Sequence, residues 1–285
     1  MPSCESTEEL RELTADPRRW ADLAHDEGFQ GGLRLATPYL RGLSQHALLV
    51  IQPDCISAGQ APACVDFVRA HGFEPVHHVR FRMAPHITAA LWHSRSTTST
   101  PDCLAVTDAV CGHADSVFVL LRDTTPTHLP ASLRLTHLKG PAKPARRRPG
   151  QLRVALGSPN LLLAYVHTSD EPADLLRESH LMGADVTTYA AMTAQLDPAA
   201  TPRLLAELES MATDHSDMTP TAALNRLLAL TPPDHPATKA LLATRDGAYL
   251  NWLQFRAHLI DLGINPNSWD PLLVASQYIV YDLPA

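Results

Sequence analysis

Apolar positions change their period along this chain. Before about residue 46 they recur at helical spacing in a polar background, with Leu10, Leu13, Trp20 and Leu23 as inward positions and breaks at Asp16-Pro17 and Gly31-Gly32. From Ala47 the runs shorten to strand length. Residues 47–51 form a buried strand stopped by Gln52-Pro53-Asp54, residues 64–71 a short amphipathic helix stopped by Gly72, and residues 76–81 an alternating second strand. Residues 85–94 read as a helix with Trp92 near its end, 96–101 as a loop, 116–121 as a third strand and 130–138 as a helix. The run Leu161-Leu162-Leu163-Ala164-Tyr165-Val166 has the pattern of a strand buried on both faces, and it stops at His167. A helix start follows, in which Ser169 or Asp170 caps, Pro172 fits the first turn and acidic residues favour the positive end of the helix dipole.

Together these elements describe an α+β fold, a ferredoxin-like four-stranded antiparallel sheet covered by helices. The remainder is mostly helical: residues 202–211, 220–230, 236–244 and 249–262 each open or close at proline or glycine, and 277–281 reads as a short strand. Trp252, Phe255, Leu259 and Leu262 are spaced as a packed face. The expected organisation is a helical appendage over 1–45, a sheet domain over 46–188 and a mostly helical extension over 189–285.

Composition narrows the function classes. The 285 residues are 45% hydrophobic and 19% charged, an ordinary globular balance, and length alone favours about two domains. A formal net charge of -7 argues against bulk nucleic-acid binding, which needs a basic footprint. The acidic start has no apolar core of a signal peptide and no later run approaches a membrane span, so a cytoplasmic protein is expected. Cys4, Cys55, Cys64, Cys103 and Cys111 show no C-x-x-C spacing, which predicts reduced thiols. Fifteen histidines, His77, His78, His86 and His93 among them, fall into no zinc-ligand spacing, and no metal ligand is expected in the protein.

Two features carry candidate chemistry. His167 ends an apolar run, and Glu178, about two turns into the next helix, is placed to hold one ring nitrogen while the other acts as a nucleophile. Histidines at strand ends are commonly turn or core residues, so this alone does not decide. The second is the aperiodic segment from Lys139 to Gly150, which gathers Lys143, Arg146, Arg147 and Arg148. It is either a solvated loop or a phosphate clamp stiffened by its prolines and glycine.

The order of these pieces resembles the nucleoside diphosphate kinase family. Val50-Ile51-Gln52-Pro53-Asp54-Cys55 is similar to its V-K-P-D-G-V signature. Arg148-Pro149-Gly150-Gln151-Leu152-Arg153 is similar to K-P-G-T-I-R, and Ala164-Tyr165-Val166-His167-Thr168-Ser169-Asp170 to N-I-I-H-G-S-D, with Glu178 at the offset of a supporting glutamate. The resemblance spans about residues 47–182. It implies a phosphotransferase in which His167 takes the γ-phosphoryl of ATP or another nucleoside triphosphate and passes it to a nucleoside diphosphate or a divergent small-molecule acceptor. Ser169 and Glu178 would orient His167, and Gln52, Trp92, Arg134, Lys143, Arg148 and Arg153 would form the nucleotide and phosphate site. Mg2+ would ride on the nucleotide phosphates, and a homo-oligomer, a dimer, is implied. Departures accompany the match: Gln52 stands for a lysine, Ala164 for an asparagine, Thr168 for a glycine, Ala142 for a threonine, and Arg134 is off register by a residue or two. A non-catalytic nucleotide-binding or scaffold protein that keeps the fold is the alternative.

Overall fold

β1 (His46–Ile51) is buried along its whole length because it has a strand on either side and helices above and below. With β2 (Phe73–Phe81), β3 (Ser116–Asp123) and β4 (Val166–Thr168) it forms one antiparallel sheet in the order β2-β3-β1-β4, the ferredoxin-like arrangement. The computed structural model describes residues 13–283 apart from 15, 17, 94–96 and 213–216; Cys4, Leu10, Pro17, Ser94 and Ser96 therefore lie outside the described residues. Alternate residues of each strand face opposite sides of the sheet. Leu48 and Val50 with Phe118 and Leu120 enter one core, and Ala47, Leu49 and Ile51 with Val117, Val119 and Leu121 enter the other.

The first face is covered by α1 (Arg19–Leu23) and α2 (Glu27–Ala36), which bring Leu23 and Phe29 into the core. The second takes α3 (Pro53–Ser57) and α4 (Ala61–Ala70), with Cys64, Val65 and Val68 inward. After α5 (Pro85–Leu91), α6 (Pro101–Cys111) begins a third core. α7 (Ala131–Lys139) and the one-turn α8 (Leu152–Ala155) return to the second face through Leu135 and Leu152. α9 (Pro172–Leu181) and the short α10 (Val186–Ala190) pack on the first face through Leu175, Leu176 and Tyr189. α11 (Ala200–Met211) adds Leu204 and Leu208 to the second. The third core joins α6 and Leu162-Leu163 to α12 (Pro220–Leu230), α13 (Pro236–Arg245), α14 (Trp252–Asp261) and α15 (Trp269–Tyr278). Among the described residues, no helix is long and apolar enough to cross a membrane.

Several expectations need correction. The apolar run at 161–165 is not a strand. Leu162 and Leu163 pack into the third core, their backbone N–H groups held by Asn160 Oδ1 at 3.0 and 2.9 Å, and pairing starts only at Val166. Gly31 and Gly32 do not break a helix, since α2 runs through both. A Cβ on Gly31 would stand 2.1 Å from His180 Nε2, and one on Gly32 2.2 Å from the Leu176 carbonyl oxygen, so these glycines let α2 lie directly on α9. The N-cap of α9 is Glu171 rather than Ser169 or Asp170, and its carboxylate makes no cap bond but pairs with Arg19 at 2.6 Å. Residues 277–278 end a helix instead of starting a strand. Apart from Asp270 and its C-terminal end α15 is buried, so its sequence lacks the polar face by which a surface helix is recognised. The sequence of α6 likewise has no marked amphipathic pattern.

Candidate active site

His167 is the middle residue of the three-residue edge strand β4, paired with Val50 of β1. Directly opposed residues of an antiparallel pair share a face, so His167 lies on the side covered by α9. That geometry brings Glu178 to it: Nε2 of His167 donates to Glu178 Oε2 at 2.9 Å, with the glutamate side chain 7% and the imidazole 14% exposed. Nδ1 has no hydrogen-bond partner among the described residues. Trp92 meets the imidazole edge to face with ring centroids 5.8 Å apart.

The backbone entering β4 is strained. Tyr165 has φ +65°, and Val166 N donates to Ala164 O at 2.7 Å, which closes a three-residue turn of the kind that proteins rarely use. The residues that follow β1 brace it: Gln52 N donates to Tyr165 O at 3.0 Å, and Tyr165 N donates to Asp54 Oδ2 at 3.1 Å. Burial pushes the Asp54 carboxyl up to about 7. Arg153 adds a second brace, donating to the carbonyls of Ala164 at 3.1 Å, Gly140 at 2.6 Å and Val166 at 2.6 Å. Burial, with Arg147 nearby, lowers it to about 10.

A cleft of about 1090 Å3 opens in front of His167. Its charges are mostly spoken for. Arg19 binds Glu171 at 2.6 Å and Asp174 at 2.5 Å, Arg177 binds Asp26 at 2.7 Å, and Glu178 holds His167. Lys139, 7% exposed at the end of α7, donates to Thr168 O at 3.4 Å and faces Asp170 at 3.6 Å; burial and the repulsion of Arg153 push it down to about 8. Arg146 and Arg148 line the same cleft, and their guanidinium groups have no partner among the described residues. Arg147, between them, turns inward and donates to the carbonyls of Pro141, Ala142, Ser158 and Asn160. One arginine thus fixes the loop that presents the other two.

The residues singled out from sequence fall into two sets. His167, Glu178, Trp92, Arg148 and Arg153 line the cleft together. Gln52 does not line the cleft but lines a separate cavity of about 200 Å3, whose wall also includes His167. Ser169 is fully buried and its Oγ has no hydrogen-bond partner, so it is not bonded to His167 or Glu178. Arg134 is away from the cleft, bound to Asp123 at 2.5 Å and stacked 4.0 Å over the Phe73 ring, because it leaves α7 more than a turn before Lys139. Lys143 pairs with Asp282 at 3.2 Å in the chain's last described stretch. Sequence reading passed over Lys139 as a site residue, although it is one of only three lysines and closes a helix facing the basic loop. Arg19, 152 residues from Glu171, left no local signal.

No protein-family model matches the chain, and no curated protein matches it. Solved structures with a similar fold include the nucleoside diphosphate kinase of Aquifex aeolicus, at 17% identity and a TM-score of 0.41 over 49% of this chain and 95% of that one. They also include the NDP kinase from Pyrobaculum aerophilum, at 16% identity and a TM-score of 0.38 over 49% of this chain and 96% of that one. A nucleoside diphosphate kinase family protein from Babesia bovis follows, at 13% identity and a TM-score of 0.42 over 55% of this chain and 97% of that one. About half of this chain lies outside each match, and function rests on the chemistry of the site itself.

Among the described residues no group of three or more His, Cys, Asp and Glu is arranged to hold a metal ion. The acidic groups at the cleft are committed to Arg19, His167, Thr136 and Lys139, so the donor set does not fit a Mg2+ held by the protein.

Proposed function

We propose that the protein is a phosphotransferase that carries the γ-phosphoryl group of a nucleoside triphosphate on Nδ1 of His167. The observation that supports this reading is the pairing of Nε2 with a buried carboxylate at 2.9 Å beside a cleft holding two arginines that have no partner among the described residues. A carboxylate on Nε2 fixes the tautomer, leaves the Nδ1 lone pair available, and stabilises the positive charge that the ring acquires on phosphorylation. In the transfer, Nδ1 attacks the γ-phosphorus, the bond to the bridging oxygen breaks, and its electron pair leaves on the diphosphate. No proton has to move. Lys139, Arg146 and Arg148 supply positive charge for the phosphates, the main demand of this chemistry. Any Mg2+ would arrive on the nucleotide. A dimer belongs to the same proposal and is tested by light scattering.

A second reading, a nucleotide-binding protein without turnover, is favoured by Gln52 in place of a cation and by the commitment of Arg153 to three carbonyls. Incubation with γ-labelled ATP and Mg2+ separates the two. Acid-labile, base-stable label on the wild type and none on His167→Ala is expected. ATP binding with no label on either would overturn the phosphohistidine and leave the binding protein.

A further inference from the structure

We propose that the smaller cavity, which shares His167 with the cleft, seats the phosphoryl acceptor, and that this acceptor is a small uncharged alcohol with an apolar body; the inference rests on the phosphohistidine reading above. The cavity measures about 200 Å3. A water molecule in the liquid takes up about 30 Å3, so the space fits some half-dozen heavy atoms and no nucleoside diphosphate. Trp92, Ala142, Arg153 and His167 are walls of both this cavity and the large cleft, so the two diverge from the histidine.

Its chemistry differs from that of the cleft. Trp92, Ala142, Leu161, Leu162, Ala164 and Val166 form the apolar part of the wall, and among the described residues no carboxylate and no lysine lines it. Arg153, the only arginine there, already donates to three carbonyls. Nothing is left to neutralise a diphosphate. The cavity's uncharged polar groups are Thr107, whose hydroxyl donates to Cys103 O at 2.7 Å, the Cys111 thiol, and Gln52, 4% exposed, whose Nε2 reaches the weakly accepting Cys111 Sγ at 3.6 Å and whose Oε1 has no partner among the described residues. Gln52 Oε1 can still accept, and the hydroxyl of a ligand entering the cavity would donate to it. Leu162 belongs to the core built by the C-terminal helices, and Asn160 ties the adjoining segment to Ser276 of α15 at 3.0 Å.

In-line transfer explains how two unlike ligands share one nitrogen. The donor's leaving oxygen and the acceptor's attacking oxygen both occupy the position opposite Nδ1, and each molecule can extend from there into its own cavity. The alcohol oxygen forms the new bond to phosphorus, the P–N bond breaks with its electron pair returning to Nδ1, and the hydroxyl proton passes to water. The products are an alkyl phosphate and neutral His167, still bonded to Glu178.

To test this, phosphoenzyme made with labelled ATP is freed of nucleotide and chased with buffer, ADP, or an alcohol series from methanol to isobutanol; retained label and 31P spectra are followed. Propanol or isobutanol is expected to discharge the protein at least about tenfold faster than buffer and faster than ADP, giving the alkyl phosphate. In Ala164→Leu, which fills the cavity, the alcohol's advantage over that variant's own discharge in buffer is expected to vanish. Faster discharge by ADP than by any alcohol, or an unchanged advantage in Ala164→Leu, would overturn the proposal. If no phosphoenzyme forms, the parent reading fails by itself, and the cavity is judged by saturation-transfer NMR with isobutanol. A signal on the wild type that Ala164→Leu and Gln52→Leu both lose, with their melting curves intact, supports an alcohol site. No signal on the wild type overturns it.

Discussion

Glu178 Oε2 stands 2.9 Å from Nε2 of His167, eleven residues earlier in the chain, because the register of β4 on β1 and the return of α9 over the same face converge on that pair. The contact gives the imidazole one orientation and one tautomer. Glu178→Gln can keep a hydrogen bond but loses the charge that stabilises the phosphorylated ring. Single-turnover labelling is expected to slow about 10- to 100-fold, the worth of a charge-assisted hydrogen bond. The label should stay acid-labile, and an unchanged rate would detach Glu178 from the chemistry.

Three consecutive arginines divide the labour of the basic loop. Arg146 and Arg148 are exposed at the cleft without a partner among the described residues, whereas Arg147 is clamped on four carbonyls. Arg146→Ala or Arg148→Ala is expected to weaken ATP binding about three- to tenfold, with a shallower salt dependence and an unchanged melting temperature. Arg147→Ala is expected to lower the melting temperature by about 4 °C or more, because carbonyls it serves lose their donor. Calorimetry and titration on the same three variants check the contrast.

The approach of α2 to α9 depends on Gly32. A Cβ there would sit 2.2 Å from the carbonyl oxygen of Leu176, which is backbone and cannot swing aside. Gly32→Ala gains helix propensity yet is expected to destabilise by about 1–3 kcal/mol through overpacking. Gly42→Ala, whose new methyl would meet Met192 Cβ at 3.4 Å, is expected to be neutral or slightly stabilising. Urea unfolding of both variants compares them directly.

Asp54 and His46 oppose each other in pH dependence. Burial holds Asp54 at about 7 against an ordinary 3.8, so between those values the folded state keeps a proton that the unfolded chain releases, and stability falls as pH rises. Burial holds His46 at about 4 against 6.5, so over that range the unfolded chain takes up a proton that the folded state refuses, and stability rises with pH. Asp54→Asn keeps an acceptor for Tyr165 N but removes the falling contribution. Its unfolding free energy is expected to climb more steeply with pH than the wild type's between about 4 and 7. Parallel curves would show that Asp54 ionises freely in the fold.

The strands that form the sheet centre, the amphipathic α4 with its glycine stop and the pairing of His167 with Glu178 were all legible in the sequence, because each is written in local periodicity or in a spacing that a strand followed by a helix converts into proximity. Tertiary structure decided the rest. The run Leu161–Tyr165 reads as strand, yet Leu161, Leu162 and Leu163 pack against a helical extension more than fifty residues away, a partner that periodicity cannot name. Gly31-Gly32 reads as a break, and only the presence of α9 turns it into a contact. Arg147 and Arg148 are indistinguishable as letters, and burial against four carbonyls separates the brace from the candidate ligand. Arg19 entered the cleft from the far end of the chain. Gln52 reads as a lost cation in the sequence, and only the fold puts it, 4% exposed, on the wall of a small cavity beside Leu162 and Val166. A sequence specifies local conformation through propensity and period, but the solvation of a charge or an amide depends on which distant segments exclude water from it, and that is settled only when the chain has packed.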